Sequence, residues 1–181
     1  MLDLADCLWA QGRLIAARKL EEQVVEGGRR CLGEQHPDTL KAMGKLAVTL
    51  GAQGDLDQAR RLQEQVVSGR RALFGDSDVE TLRAINNLAG TIASQGDFAA
   101  ATELLESVVA TSCREFGEQH PDSLTAMSNL AGVLWQLGDQ AEAYALQQQV
   151  LEIRRRLCGE EDAATRGAAA VLEMMERDTG I

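Results

Sequence analysis

Apolar residues recur along this chain at spacings of three and four, which places them on one face of an α-helix. One such set returns twice, each time 42 residues further along the sequence. Its three copies are Leu40, Met43, Leu46, Ala47 and Leu50; Leu82, Ile85, Leu88, Ala89 and Ile92; and Leu124, Met127, Leu130, Ala131 and Leu134. Because strand-like alternation of Val, Ile and Thr is nearly absent, the pattern predicts an all-α protein.

A second, longer helix is predicted after each of these first helices, beyond the loops GAQGD, ASQGD and WQLGD. A Gly in each loop suits the left-handed end of one helix, and the following Asp suits the N-cap of the next. These pairs are Gly54 and Asp55, Gly96 and Asp97, and Gly138 and Asp139. The inward positions of the second helix align as Ala17, Ala59, Ala101 and Ala143, as Leu20, Leu62, Leu104 and Leu146, and as Val24, Val66, Val108 and Val150.

A start signal opens each unit, reading GEQHPDTL at Gly33, GDSDVETL at Gly75, GEQHPDSL at Gly117 and GEEDAATR at Gly159. The signals predict a partial repeat at 1–32, full repeats at 33–74, 75–116 and 117–158, and a terminal helix within 159–181. One helix pair cannot cover its own apolar faces, so stacking of antiparallel pairs predicts a single solenoid domain of nine helices over 1–181. The first residues match only the back half of a first helix, as an excised fragment or a trimmed cap would.

The repeat resembles the tetratricopeptide repeat through its N-L-A…Q-G-D…A…L pattern. The residues that carry this resemblance are Asn87, Leu88, Ala89, Gln95, Gly96, Asp97, Ala101 and Leu104. The 42-residue spacing, with HPD opening the first helix, is similar to the variant found in kinesin light chain. The resemblance implies a right-handed α-α superhelix of antiparallel helix pairs, and a scaffold that binds other proteins without chemistry of its own.

Composition and charge narrow the class of protein further. Apolar residues make up 45% of the chain and charged residues 25%, which is typical of a soluble folded protein. The net charge of −10 argues against nucleic acid and anionic membranes as partners, since both require a basic face. The four cysteines have no CxxC spacing, which predicts free thiols; disulfides or metal ligation are the alternative. The chain also has no long apolar run and begins with an acidic stretch. Together these features predict a cytoplasmic location.

Two motifs that suggest chemistry have simpler explanations. His36-Pro37-Asp38 and His120-Pro121-Asp122 contain both histidines, but they stand where a first helix begins, and Pro and Asp favour a first turn. Arginines gather where second helices end, which suits the carbonyl end of the helix dipole; a ridge for polyanions is the alternative. No nucleophile–base pair, metal-ligand cluster or phosphate-binding loop occurs, so neither an enzyme nor a cofactor is expected.

The resemblance implies that a concave wall is lined by side chains of the first helices. The candidate peptide-binding residues at those places are Lys41, Lys45, Arg83, Asn86, Asn87, Ser128, Asn129, Trp135 and Gln136. Asn can donate to and accept from an extended peptide backbone, and Trp offers a large rigid contact. Asn87 and Asn129 match the position at which kinesin-light-chain-like arrays use asparagine to hold the peptide main chain. In the first full copy of the repeat, Lys45 stands at this position in place of asparagine.

Three alternatives remain open from the sequence. Lys41, Lys45 and Arg83 on one wall predict a preference for acidic segments, but these positions could equally be ordinary solvated ones. An apolar flank near Leu4, Leu8 and Trp9 could instead pair two copies as a homodimer. A third hypothesis makes the chain the sensor portion of a larger signalling protein.

Overall fold

The computed structural model describes residues 2–179, and within that range it contains helices, turns and bends but no strand. Nine helices follow one another in this range. They are α1 (Leu2–Ala10), α2 (Leu14–Cys31), α3 (Pro37–Ala52), α4 (Leu56–Phe74), α5 (Val79–Ser94), α6 (Phe98–Phe116), α7 (Pro121–Leu137), α8 (Gln140–Cys158) and α9 (Ala163–Thr179). Each full repeat thus supplies a first helix and a longer second helix, as the sequence predicts.

The chain divides into two compact units, Met1–Gln95 and Gly96–Ile181. In the first unit each helix from α1 to α5 packs on the next along the chain, and α3 also touches α5. In the second unit α6 packs on α7, α7 on α8 and α8 on α9. The assignment of the whole chain to one domain with the repeat boundaries given above stays a prediction.

The first helices begin as the start signals predict. His36 and His120 are the N-caps of α3 and α7, and each ring Nδ1 accepts a hydrogen bond of 3.2 Å from the backbone N–H two residues later. Asp78 takes the same place before α5 and accepts from the Thr81 N–H at 2.9 Å. The histidines therefore serve the helix start directly, since their side chains satisfy an otherwise unpaired N–H.

The turns within each repeat use the glycines that the sequence singled out. Gly54, Gly96 and Gly138 have φ values of 84°, 90° and 107°, a region that other residues rarely adopt. Asp55 and Asp97 then cap α4 and α6 with their side chains. Asp139 occupies the N-cap of α8 without a side-chain cap hydrogen bond, which differs from the prediction.

The recurrent alanines of the repeat lie in the core, as predicted. Ala47, Ala89 and Ala131 on the first helices are fully buried. The same is true of four alanines on the second helices: Ala17, Ala59, Ala101 and Ala143. In the first unit Ala59 belongs to the core cluster that contains Leu40 and Met43.

A more deeply buried position of the second helices lies one residue beyond the predicted leucines, although Leu62 and Leu146 do pack against the core clusters. Leu20, Leu62, Leu104 and Leu146 are only half-buried. The residues that follow them, Glu21, Gln63, Leu105 and Gln147, are the buried ones. They lie four residues after the buried alanines, so they continue the same helix face one turn further on. The second helices thus carry a buried position that is polar in three of its four copies.

Candidate functional site

A cavity of about 380 Å³ lies in the first unit, between side chains of α1 to α5. It is lined by Asp6, Trp9, Glu21, Leu40, Lys41, Gly44, Lys45, Val48, Thr49, Gln63, Val66, Arg70, Glu80, Arg83, Ala84 and Asn87. The first helices α1, α3 and α5 supply most of these residues because their 42-residue repetition presents equivalent positions side by side. The second helices α2 and α4 contribute Glu21, Gln63, Val66 and Arg70.

Four of the predicted site residues line this one cavity: Lys41, Lys45, Arg83 and Asn87. Lys41, Arg83 and Asn87 are exposed and Lys45 is half-buried, so a ligand could touch all four. Asn86 on α5 is half-buried and does not line the cavity.

The other four predicted residues lie on α7 in the second unit, and they differ in availability. Asn129 and Gln136 are exposed. Ser128 turns its hydroxyl inward and donates to Gln147 Oε1 at 3.0 Å. Trp135 is only 8% exposed, so it packs in the core and offers little of the contact area expected of it. These two side chains are therefore engaged within the fold.

Helix α1, in the partial repeat, exposes apolar side chains that have buried equivalents in later repeats. Trp9 occupies the register of Trp135 but is 44% exposed and lines the cavity, and Leu4 is 56% exposed. Leu8 is half-buried. The predicted pairing of two copies through this flank stays a prediction.

Acidic residues balance most of the positive charge that the sequence suggested for this wall. Lys45 Nζ forms an ion pair with the Asp6 carboxylate. Glu80 holds Arg83 at 2.6 Å and Arg70 at 3.7 Å through its two carboxylate oxygens. The cation count alone therefore overstates the attraction of the wall for an acidic ligand.

The cavity has three buried residues with an unpartnered polar atom that the sequence reasoning missed: Glu21, Thr49 and Gln63. They are 2%, 1% and 4% exposed. Glu21 Oε2, Thr49 Oγ1 and Gln63 Oε1 have no hydrogen-bond partner among residues 2–179. A buried polar atom without a partner is costly and calls for an explanation. The available signal was a polar residue four positions after the recurrent alanine, on a face that is otherwise apolar.

Burial raises the pKa of the Glu21 carboxyl above its ordinary value. The Thr49 hydroxyl lies close enough to lower this pKa in part, although it is outside hydrogen-bond geometry. The charge of Asp6 raises the pKa further and that of Lys45 lowers it. Glu21 is thus a buried carboxylate whose ionised form is poorly compensated.

Glu21→Gln is expected to stabilise the protein at neutral pH. Because the folded-state pKa of this acid is raised, ionisation costs stability above the pKa of the unfolded chain, and no cost remains below it. The melting temperature of the variant should exceed that of the native chain at about pH 7, and the difference should vanish near pH 4. Thermal unfolding followed by circular dichroism at several pH values measures this. A variant less stable than the native chain at neutral pH would contradict the expectation.

The described residues contain no group of three or more His, Cys, Asp or Glu side chains that could hold a metal ion. Cys7, Cys31, Cys113 and Cys158 are free, and burial raises the pKa of the Cys113 thiol. None of the helices described here has the length and apolar character needed to cross a membrane.

Comparison with solved structures shows the same fold over nearly the whole chain. The crystal structure of a candidate kinesin light chain of nearly identical TPR-like repeats, from Podosopora anserina, is 28% identical with a TM-score of 0.81, over 99% of this chain and 85% of that one. BtubC (BKLC) from P. vanneervenii is 22% identical with a TM-score of 0.79, over 98% and 70% of the two chains. The Rap protein complexed with Competence and Sporulation Factor is 15% identical with a TM-score of 0.81, over 97% and 47%. These likenesses confirm the predicted fold class.

Sequence comparison identifies the family. No curated protein sequence matches the chain significantly. The family model of the tetratricopeptide repeat matches residues 1–72 and 80–156. This match covers most of the chain, and the similarity to repeats of the kinesin light chain type agrees with the 42-residue spacing. The chain therefore belongs to the tetratricopeptide repeat family.

Proposed function

We propose that this chain is a non-enzymatic scaffold that binds a peptide or protein segment along the first helices of its repeats. The observation that carries the proposal is the cavity of the first unit, where Lys41, Lys45, Arg83 and Asn87 converge. Proteins of this family typically act in protein–protein interaction, which supports the same conclusion. A protein of this fold, Rap, has been crystallised in complex with Competence and Sporulation Factor.

The chemistry of the wall suits a peptide because it mixes three kinds of contact. Asn87 can donate to and accept from a peptide backbone at the same time. Trp9 offers a rigid aromatic surface, and its exposed fraction of 44% leaves room for a ligand. For an acidic segment the main remaining support is Lys41, since Lys45 and Arg83 are held by acids.

Five further candidates remain to be tested: Asn86 on α5, and Ser128, Asn129, Trp135 and Gln136 on α7 of the second unit. Of these, Ser128 and Trp135 would first have to leave their positions within the fold. The proposal also includes a cytoplasmic location and the exclusion of nucleic acid and membranes as partners, which the net charge of −10 supports. The hypothesis of a sensor portion within a larger signalling protein stays a prediction.

Asn87→Ala is expected to weaken peptide binding about tenfold, because the loss of two hydrogen bonds to a peptide backbone costs about 1.4 kcal/mol or more. Peptides are first selected from a phage-displayed library on the immobilised chain, and affinities are then measured by fluorescence anisotropy. Asn129→Ala is measured in parallel, to decide whether the second unit contributes.

Gln65→Ala is the matched control, since Gln65 is an exposed amide on α4 that does not line the cavity. It should leave the affinity unchanged. Equal affinities of the native chain and Asn87→Ala would move the binding surface away from this cavity, and failure of the library to yield any peptide would count against the proposed function itself.

A further inference from the structure

The second unit shows one way in which the buried polar position of the second helices is satisfied. Gln147 on α8 is fully buried, and its amide oxygen accepts from the Ser128 hydroxyl at 3.0 Å. Its amide nitrogen donates to the Ala168 carbonyl at 2.9 Å. Both ends of this side chain thus have partners from the neighbouring helices.

The first unit has the same glutamine without the same partner. Gln63 lies 84 residues before Gln147, two repeats away, and the residue equivalent to Ser128 is Gly44. Gly44 has no side chain, and a Cβ built there would meet no atom within 4 Å. The place from which a serine hydroxyl would donate to Gln63 Oε1 is therefore open space on the wall of the cavity.

A carboxylate lines the same cavity as Gly44. Glu21 occupies the equivalent position one repeat earlier and is 2% exposed, with Oε2 unpartnered among the described residues. The cavity therefore presents an amide oxygen, a carboxylate oxygen and the Thr49 hydroxyl, all of which can accept a hydrogen bond. Glu21 forms no ion pair with a cation among the described residues. Lys45 is held by Asp6, and Arg70 and Arg83 by Glu80. Lys41, the fourth cation of the lining, is exposed.

We propose that this cavity is a subsite for a basic side chain, arginine by preference, which enters the space above Gly44 and donates to Gln63 Oε1 and to the Glu21 carboxylate. A guanidinium carries five N–H donors in a planar fork, so one group can serve two separated acceptors, which an ammonium does less well. The inference rests on the proposed function, and it names the chemistry of the bound segment: an arginine that anchors it in the cavity of the first unit.

The volume and the character of the lining suit such a side chain. A cavity of about 380 Å³ admits an arginine with its aliphatic stem. Val48 and Ala84 line it and can pack against that stem, while the charged head reaches the polar residues. Charge-assisted hydrogen bonds of this kind are about twice as strong as neutral ones, so the charge of the ligand should be measurable in its affinity.

The test uses small probes, so that it does not depend on finding a peptide. N-acetyl-arginine methylamide is titrated into the full chain, and the amide resonances of the cavity residues are followed by NMR. N-acetyl-citrulline methylamide has nearly the same shape without the charge, and N-acetyl-glutamate methylamide has the opposite charge. We expect the arginine probe to bind at least about fivefold more tightly than the citrulline probe, since its hydrogen bonds are charge-assisted. The glutamate probe should bind more weakly than both.

Two variants locate the probe. Gly44→Ser fills the gap and gives Gln63 its own hydrogen-bond donor. Because the arginine probe then loses its hydrogen bond to Gln63, its binding should weaken at least about tenfold. It should not harm folding, because the space is open and serine favours helix more than glycine does. Gly132→Ser on α7 is the matched control, since a Cβ there also meets no atom within 4 Å and the residue does not line the cavity. Glu21→Gln should remove the preference for arginine over citrulline.

Several results would overturn the inference. They are equal affinities for the arginine and citrulline probes, tighter binding of the glutamate probe, or full affinity in Gly44→Ser. If Gly132→Ser weakens binding as much as Gly44→Ser does, the effect is not specific to this cavity, and this result would overturn the inference too. Peptides that need Asn87 but contain no basic residue would contradict the arginine subsite and leave the proposed function intact. If the arginine probe binds specifically but the library yields no peptide, the proposed function is contradicted and the arginine subsite stands.

Discussion

Replacing Leu40 with alanine is expected to lower the free energy of unfolding by about 3 kcal/mol, within the range for fully buried leucines. Leu40 has no exposed surface and belongs to a core cluster that includes Val25 and Met43. It also fills the space over Gly69, where an added Cβ would lie 2.8 Å and 2.9 Å from its two terminal carbons. Since Gly69 has no side chain that could move into the void, the cavity left by alanine should persist and the cost should be large.

The loss is measured by urea denaturation with Trp9 as the fluorescent probe of the first unit, in a Trp135→Phe background. A single-probe design is needed because repeat arrays can unfold in parts. Leu73→Ala is the matched control, since Leu73 is 47% exposed and its truncation should cost less than about 1 kcal/mol. A loss below about 1 kcal/mol for Leu40→Ala would mean that the core around Gly69 relaxes to fill the space.

The helices and the buried small residues between them could be predicted from the sequence because they depend on local rules. Apolar residues three and four apart define a helix face wherever that face later packs. Gly54 and Gly138 mark helix ends because only glycine adopts their backbone angles easily. Repetition adds a further constraint, since Ala47 and Ala89 can be recognised as contact residues by comparing copies within one chain.

The charges of the site could not be predicted in the same way. Lys45 and Asp6 are 39 residues apart, and their pairing depends on where α1 lies relative to α3. The apolar pattern also does not identify Glu80 as the partner of Arg83, although Glu80 lies one helical turn before it. A periodic pattern tells which face a side chain occupies, but it does not tell which neighbour neutralises it.

Burial also differs between residues of one register, which repetition alone cannot show. Trp9 is exposed and Trp135 buried, although both occupy the same place in the repeat. The difference arises from the helices packed around each residue, and those are not identical in the two units. Candidate sites taken from a repeat alignment therefore need the three-dimensional context before any one residue is assigned to a ligand.

The two buried glutamines give a second prediction with a large expected effect. Gln147→Leu should lower the free energy of unfolding by about 2 kcal/mol, because the Ser128 hydroxyl and the Ala168 carbonyl both lose a buried partner. Gln63→Leu should be neutral or stabilising, since the amide oxygen that it removes has no partner among the described residues. Leu105 is a buried leucine at this same position of the repeat, which shows that a leucine side chain fits there. A poor fit of the new side chain is therefore not expected to contribute to either result.

Urea denaturation measures both variants, with Trp135 as the probe for Gln147→Leu and Trp9 as the probe for Gln63→Leu. The contrast between them bears directly on the cavity. If Gln63→Leu costs as much as Gln147→Leu, then Gln63 already has a stabilising partner such as a fixed water molecule, and an entering guanidinium would have to displace it. If Gln63→Leu costs nothing, the acceptor is unsatisfied in the free protein. A ligand that donates to it then gains the full hydrogen bond without breaking another, which is the condition that favours an arginine in this cavity.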